Sequence, residues 1–560
     1  MSTLFDPCSN LAGLKLPPQD IEVLSYSGSR KPGKLKEWLE NLKVTQVNQT
    51  VATLYRALPE VLHLRTNPAD RFMMLEEFWP VTQRSLEVFA KEFLQQPLLL
   101  PPAPQKAAIV SQVLQKHLLD GYSLCIRELV NERRLKQSQK DVLLHSIFRA
   151  LSAMRRFFLR SYQLYTPIPA GMWFRAHALF QTAEQYELEN VTVTLADATG
   201  KSIHHVYMQL LAMACIHPNQ LSQSDLAITF SALDQWIKLV KLLVARTDHN
   251  ECNPFLINLS QDQAPQEKTR FKSEPAHRVA ELDFQLLAQQ LQSESDKRDS
   301  DVIDNHVAHA AKLIPSQMPE TLVQHLLDCW NNCGERQQAR KSINIKAEAC
   351  IGIIDCHYHL SGKVSFDQFL NPEQQEEEDD SFLSSGFEDL ISSLTQNEHA
   401  KNELKSKESI FEVSIQNLSS SGYCLVFKID LPQRIEAGEL IGIRENGRRS
   451  WSIGVIRWIK QSKSASQMGI QVLCNQPVPY GASVTLDNGI PSDFMRVIHI
   501  PSPAMADQPP SILTTAIPFQ DGRRAELKQD DHTTLIRLNK AVFSTSKVKL
   551  FGFDTLNDES

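Results

Sequence analysis

Two hydrophobic rhythms divide this chain. Up to about residue 332, apolar positions recur every three or four residues, as a helix with one buried stripe requires. Over 105–132 the stripe is Val110, Val113, Leu114, Leu118, Tyr122, Cys125 and Leu129, with Lys106, Lys116 and Glu128 outside it. The same spacing predicts a helix over 67–96, kinked or interrupted at Pro80, through Leu75, Phe78, Leu86, Phe89 and Phe93. Further helices are expected over 140–163, 170–188, 202–216, 224–245, 278–292 and 319–331, joined by short polar or proline loops that suit antiparallel hairpins. Only 254–266 reads better as a strand and turn within this region.

At Ser342 the period drops to two. Ile343, Ile345, Ala347 and Ala349 alternate with Ser342, Asn344, Lys346 and Glu348, the pattern of a strand with one wet face. Residues 371–390 then carry eight acids and no base, which predicts a solvated insertion, with 382–394 as a short amphipathic docking helix inside it. Strands return near Ile410 and continue almost to the end; 512–522, 533–543 and 547–553 extend the series as more barrel strands or a small added sheet. The expected fold is multidomain α+β. An extended segment (1–33) precedes an all-α, solenoid-like helical domain (34–332). A β-barrel (333–500) follows, split by an acidic insertion at about 363–408, and then additional C-terminal strands (501–560). Residues 172–186 resemble a helix of a tetratricopeptide-type solenoid, without a regular 34-residue period.

Composition narrows the function. A 560-residue chain with 42% hydrophobic residues builds ample cores. Its formal charge of -7 lacks the basic face that a binder of nucleic-acid polymers needs. No basic-then-apolar leader opens the chain and no apolar run reaches spanning length. Ten scattered cysteines without an export signal read as reduced thiols. The expected location is the cytoplasm.

The chemistry-bearing residues lie in the C-terminal third. Asn417-Leu418-Ser419-Ser420-Ser421-Gly422 follows the short alternating strand at 410–415. Gly454-Val455-Ile456-Arg457-Trp458 and Gly469-Ile470-Gln471-Val472-Leu473 read as two strands joined by a polar hairpin. Upstream, Arg336-Gln337-Gln338-Ala339-Arg340 directly precedes the alternating strand. Together these resemble the bacterial PilZ family, whose motifs are R-x-x-x-R and [D/N]-x-S-x-x-G. Here the two are much farther apart than in a compact member, so the resemblance implies a barrel whose first strand or hairpin is separated from the rest by the acidic insertion.

The resemblance implies a receptor for cyclic di-GMP, with Arg336, Arg340, Asn417, Ser419 and Gly422 as ligand residues and no further cofactor. Arginine forks suit both phosphate oxygens and the O6/N7 edge of guanine. Asn417 and Ser419 offer short hydrogen bonds from a turn, and Gly422 a tight backbone or close approach. Lys401 and Lys405 form a second basic pair nearer the Asn417 motif, without the planar fork. Neither GGDEF nor EAL, the motifs of cyclic di-GMP synthesis and hydrolysis, occurs. The expectation is therefore a non-enzymatic receptor, with ligand bound where the helical domain ends and a protein partner recruited by that domain. The alternatives are an interaction scaffold with a degenerate, non-binding barrel, and a metal-dependent enzyme.

Other groupings read as structural. Cys350, Cys356, His357 and His359, with Cys329 and Cys333 upstream, have irregular spacing for a metal site, and a strand would turn Cys356 and His357 to opposite faces. No metal is expected there. His177 and Glu184 share a helix face with Trp173 and Phe180 and read as packing. No phosphate-binding loop, nucleophile elbow or dinucleotide fingerprint occurs.

Overall fold

The computed structural model describes residues 16–42, 45–132, 134–244, 255–271, 278–300, 312–331, 341–372, 409–419, 422–427, 435–462, 465–486, 489–501, 510–530 and 532–556. Internal contacts divide the chain into two compact units, Met1–Pro218 with Ser222–Glu335, and Asn219–Leu221 with Arg336–Ser560.

The first unit is built on the helical rhythm. Helices Val47–His63, Pro68–Phe89, Pro102–Val130 and Gln137–Gln163 bury the stripe residues Leu54, Leu75, Phe78, Leu114, Leu118, Tyr122 and Ile147. Pro80 does not interrupt its helix, which continues to Phe89. Arg71 is fully buried because it closes a helix end. Its guanidinium donates to the carbonyls of Val61 (2.6 Å) and Leu64 (3.1 Å), which the end of Val47–His63 leaves without intrahelical donors. Helices Met172–Gln185, Ile203–Ala214 and Gln223–Trp236 continue the unit.

Two expected helices are shorter than their pattern. The stretch 224–245 ends as strand β1 (Lys241–Val244), and 278–292 begins as a strand. With β2 (Phe255–Asn258) and β3 (Gln266–Glu267), strand β4 (Val279–Asp283) makes a four-stranded sheet of order β1-β4-β2-β3. The first unit is thus helical with a small sheet rather than all-α. Helices Gln285–Ser300 and Glu320–Asn331 follow.

The second unit contains two closed six-stranded barrels. The first comprises β5 (Lys341–Ile351), β6 (Phe411–Ser419), β7 (Gly422–Phe427), β8 (Leu440–Glu445), β9 (Ser452–Gln461) and β10 (Ser466–Cys474), in the order β10-β7-β6-β5-β8-β9. It is split as the alternating pattern requires: β5 pairs antiparallel with β6 across the long insertion. Alternation sends Ala347, Ala349, Val413 and Ile415 inward and leaves Lys346, Glu348, Glu412 and Ser414 on the outer face. After β5 the chain turns into helix Ile353–Leu360, where a continuing strand or hairpin was expected.

The remaining strands do not extend this barrel. β11 (Val478–Val484), β12 (Met495–Ile500), β13 (Ser511–Thr515), β14 (Arg524–Gln529), β15 (His532–Ser544) and β16 (Val548–Thr555) close a second one, of order β11-β12-β13-β16-β15-β14. Val478–Val484 and Met495–Ile500, expected inside the first barrel, belong to the second, because every strand they pair with lies in it. The barrels share one apolar seam: Leu440, Trp451, Ile453, Val455 and Leu473 pack with Ile498, Ile500, Leu513, Val548 and Leu550. Thr545 Oγ1 also donates to the Gly438 carbonyl at 2.9 Å.

Candidate functional site

The β5–β6 register brings distant sequence together. Lys341 lies opposite Leu418 and Ser342 opposite Asn417, so the N-terminal end of β5 meets the C-terminal end of β6. Arg336 and Arg340 lie outside the described residues, as do Lys401, Lys405, Ser420, Ser421 and the expected helix at 382–394. The next residue after Arg340 is Lys341, and consecutive Cα atoms are about 3.8 Å apart. The covalent chain alone therefore keeps Arg340 one residue from the partner of Leu418.

Asn417 and Ser419 are half-buried at the end of β6. The Ser419 hydroxyl donates to the Gly422 carbonyl at 3.4 Å, tying together the paired ends of β6 and β7. Gly422 has a structural reason of its own: a Cβ there would collide with the Ile470 carbonyl of β10. Gly454 and Gly469, the leading glycines of the two expected strands, have the same cause. Their Cβ atoms would strike the Gln471 carbonyl at 2.6 Å and the Trp458 indole, respectively. The close approach of Gly422 is to a neighbouring strand.

On the outer face of the same strands is a cleft of about 610 Å³. Its walls are Lys346 and Glu348 of β5, Glu412 and Ser414 of β6, Val426 of β7, and Arg444 to Arg448 at the end of β8 and its turn. Three cations and three carboxylates face it, unequally committed. Arg444 donates from Nε (2.9 Å) and Nη2 (2.5 Å) to Glu348 Oε2 and lies 4.7 Å above the Trp451 ring, so it is fixed. Arg448 holds Glu445 at 3.0 Å from a well-exposed position. Tyr423 donates to Glu445 Oε1 at 3.3 Å, and burial together with that carboxylate raises its pKa, keeping it a donor. Lys346 and Glu412 are exposed and form no ion pair among the described residues. Sequence reasoning missed this cleft. Arg444 and Arg448 repeat the four-residue spacing, which was a usable signal, whereas Lys346 and Glu412 read only as the wet face of strands.

The other groupings resolve into packing. His177 is fully buried, with Nδ1 2.7 Å from the Tyr207 hydroxyl and Nε2 3.0 Å from the Gln263 carbonyl; burial pushes its pKa down to about 4. Glu184 pairs with Arg278 at 2.8 Å instead. Cys356 and His357 lie on helix Ile353–Leu360, not on a strand, and are buried. Cys356 Sγ is 3.8 Å from Cys350 Sγ, and His357 Nε2 is 3.2 Å from the Tyr480 carbonyl. Among the described residues, no group of three or more His, Cys, Asp or Glu side chains is arranged to hold a metal ion. Cys329 Sγ lies 3.2 Å from His217 Nδ1, whose Nε2 is 2.9 Å from Glu267 Oε1. That chain resembles an activated thiol, but burial and the Asp328 and Glu267 carboxylates push the Cys329 pKa up to about 12. No helix among the described residues is long and apolar enough to cross a membrane.

Three family models match the chain in order. "Cyclic-di-GMP receptor FimW, N-terminal domain" matches residues 33–247. "Cyclic-di-GMP receptor FimW, middle PilZ domain" matches 254–393 and 384–479, and "FimW C-terminal beta-barrel domain" matches 480–556. The chain belongs to the FimW family. A curated relative, the cyclic-di-GMP receptor FimW of Pseudomonas aeruginosa strain PAO1, is 26% identical over 579 aligned residues, covering 96% of this chain and 93% of the relative. The FimW middle-domain match comes in two stretches that meet between β5 and β6, where the barrel is split. The FimW C-terminal match spans the second barrel, from within β11 to the end of β16.

Proposed function

We propose that this chain is a cyclic di-GMP receptor in which the first barrel of the second unit binds the nucleotide without turning it over. The observation that carries this reading is the β5–β6 register. It sets Lys341, the residue after Arg340, opposite Leu418, and so supports a site built from both motifs despite their long separation in sequence. The FimW relative, a receptor by name, supports the ligand class.

In this reading Arg336 and Arg340 fork onto phosphate and guanine, while Asn417 and Ser419 hydrogen-bond from the turn. Gly422 acts by letting β7 close against β10. Binding shifts the helical unit's affinity for a protein partner, in the cytoplasm; such an effect needs different ligand affinities for two states. The raised pKa of Cys329 disfavours that thiol as a nucleophile.

Calorimetric titration of the full chain with cyclic di-GMP tests the reading. Saturable binding is expected, weakened about fivefold to a hundredfold or more by Arg340→Ala or Asn417→Ala, in line with ~1–3 kcal/mol per good contact. A wild-type chain that takes up no nucleotide would leave the scaffold alternative standing.

A further inference from the structure

The cleft beside the Asn417 turn carries a second level of recognition. At about 610 Å³ it is of a size that takes a small organic ligand, for which ~300–1,000 Å³ is usual. Measured along β6 at ~3.3 Å per residue, Ser414 is ~10 Å from Asn417 and Glu412 ~17 Å. A two-base ligand with one nucleotide at the turn can therefore present its second base to the cleft.

The uncommitted groups say which edge of that base fits. Arg444 is held by Glu348 and Trp451, and Arg448 by Glu445. Glu412 is left as an exposed carboxylate with no cation of its own among the described residues; it lies opposite Glu348, which Arg444 holds, while Lys346 lies two residues along β5, opposite Ser414. A bare carboxylate repels phosphate, so this wall does not suit the ligand's backbone. It suits parallel N–H donors. Guanine offers two on its Watson–Crick edge, N1–H and one N2–H. Adenine offers a bare, accepting N1 and no 2-amino group, so it would leave the carboxylate facing a lone pair. Lys346, a point donor, matches an acceptor such as guanine O6 or a phosphate oxygen at the other side.

We propose that Glu412 is a specificity-determining residue that reads the Watson–Crick edge of one guanine of the nucleotide, with Lys346 diagonal to it in the same cleft; this rests on the receptor reading above. The full chain would be titrated with cyclic di-GMP and, separately, cyclic di-AMP. Glu412→Ala, and Glu412→Gln, which keeps the shape and removes the charge, should each weaken cyclic di-GMP about tenfold or more. Cyclic di-AMP should bind no worse, so the preference narrows. Because Glu412 is exposed, the thermal midpoint should stay at the wild-type value. If both variants keep wild-type affinity and preference while Asn417→Ala loses affinity, the Glu412 assignment is wrong and the receptor reading stands. If the wild-type chain binds no cyclic di-GMP, both fall.

Discussion

At the scale of single residues, a few side chains that are absent matter as much as those present. Gly422, Gly454 and Gly469 let β7, β9 and β10 approach more closely than any Cβ would allow. Gly422→Ala would push a methyl group onto the Ile470 carbonyl, and overpacking of this kind costs roughly 1–3 kcal/mol. A lowered thermal midpoint is expected, with any loss of nucleotide affinity following from it; an unchanged midpoint would return Gly422 to a purely ligand-facing role.

His177 gives the first unit a pH dependence. Unfolded, its imidazole titrates near its ordinary ~6.5; folded, it stays neutral down to about 4. Above pH ~6.5 both states are neutral and nothing is gained or lost. As the pH falls from ~6.5 toward 4, only the unfolded chain takes up the proton, so stability drops, by up to ~3 kcal/mol at the low end. Urea unfolding followed by tryptophan fluorescence at pH 7 and pH 4.5 should show this loss. His177→Gln should be less stable at pH 7, having lost the Tyr207 and Gln263 bonds, yet change less between the two pH values. An equally steep pH dependence in the variant would assign the loss to other groups.

At the scale of elements, long amphipathic helices were legible because one face is buried over many turns, as in Pro102–Val130. The strand β5 was legible because its inward alanines alternate with polar residues. The small sheet was largely illegible. β2 is four residues long and buried on both faces, so it has no alternation to read. Around β4, Val279 and Leu282 are three apart, a spacing that fits a helix as well as a strand. Helix Ile353–Leu360 was misread because its opening isoleucines favour strands locally, whereas its burial against β5, β8 and the second barrel decides its form. The partnership of β5 with β6 was expected only through the family resemblance, since pairing register is a long-range property that neither strand's own pattern encodes. The cleft was hidden because nothing in one strand's pattern says which polar residues share a wall with the next.

At the scale of the whole molecule, the second unit depends on two barrels burying each other. Leu440, Trp451, Ile453, Val455 and Leu473 lose their apolar partners if the second barrel is removed. Each large side chain so exposed forfeits on the order of 1.5–3 kcal/mol when its burial is lost entirely. The bond from Thr545 to Gly438 and the pair Lys547–Glu436 at 3.4 Å disappear with it. A chain ending after Cys474 is therefore expected to aggregate, or to show rapid protease cleavage within the first barrel. A soluble truncated chain with a wild-type cleavage pattern would show that barrel to be self-sufficient.

The antiparallel partnership of β5 and β6 also has a consequence for how such chains can drift. In topology the pair is a hairpin whose loop runs to about sixty residues, and lengthening an already long loop costs little, ~0.6 kcal/mol per doubling. Both loop ends leave from the side of the pair remote from Asn417. Insertions and deletions between the strands can accumulate while the Asn417 end keeps its register, so the interval separating the two signature motifs is a poor guide to whether a barrel is intact.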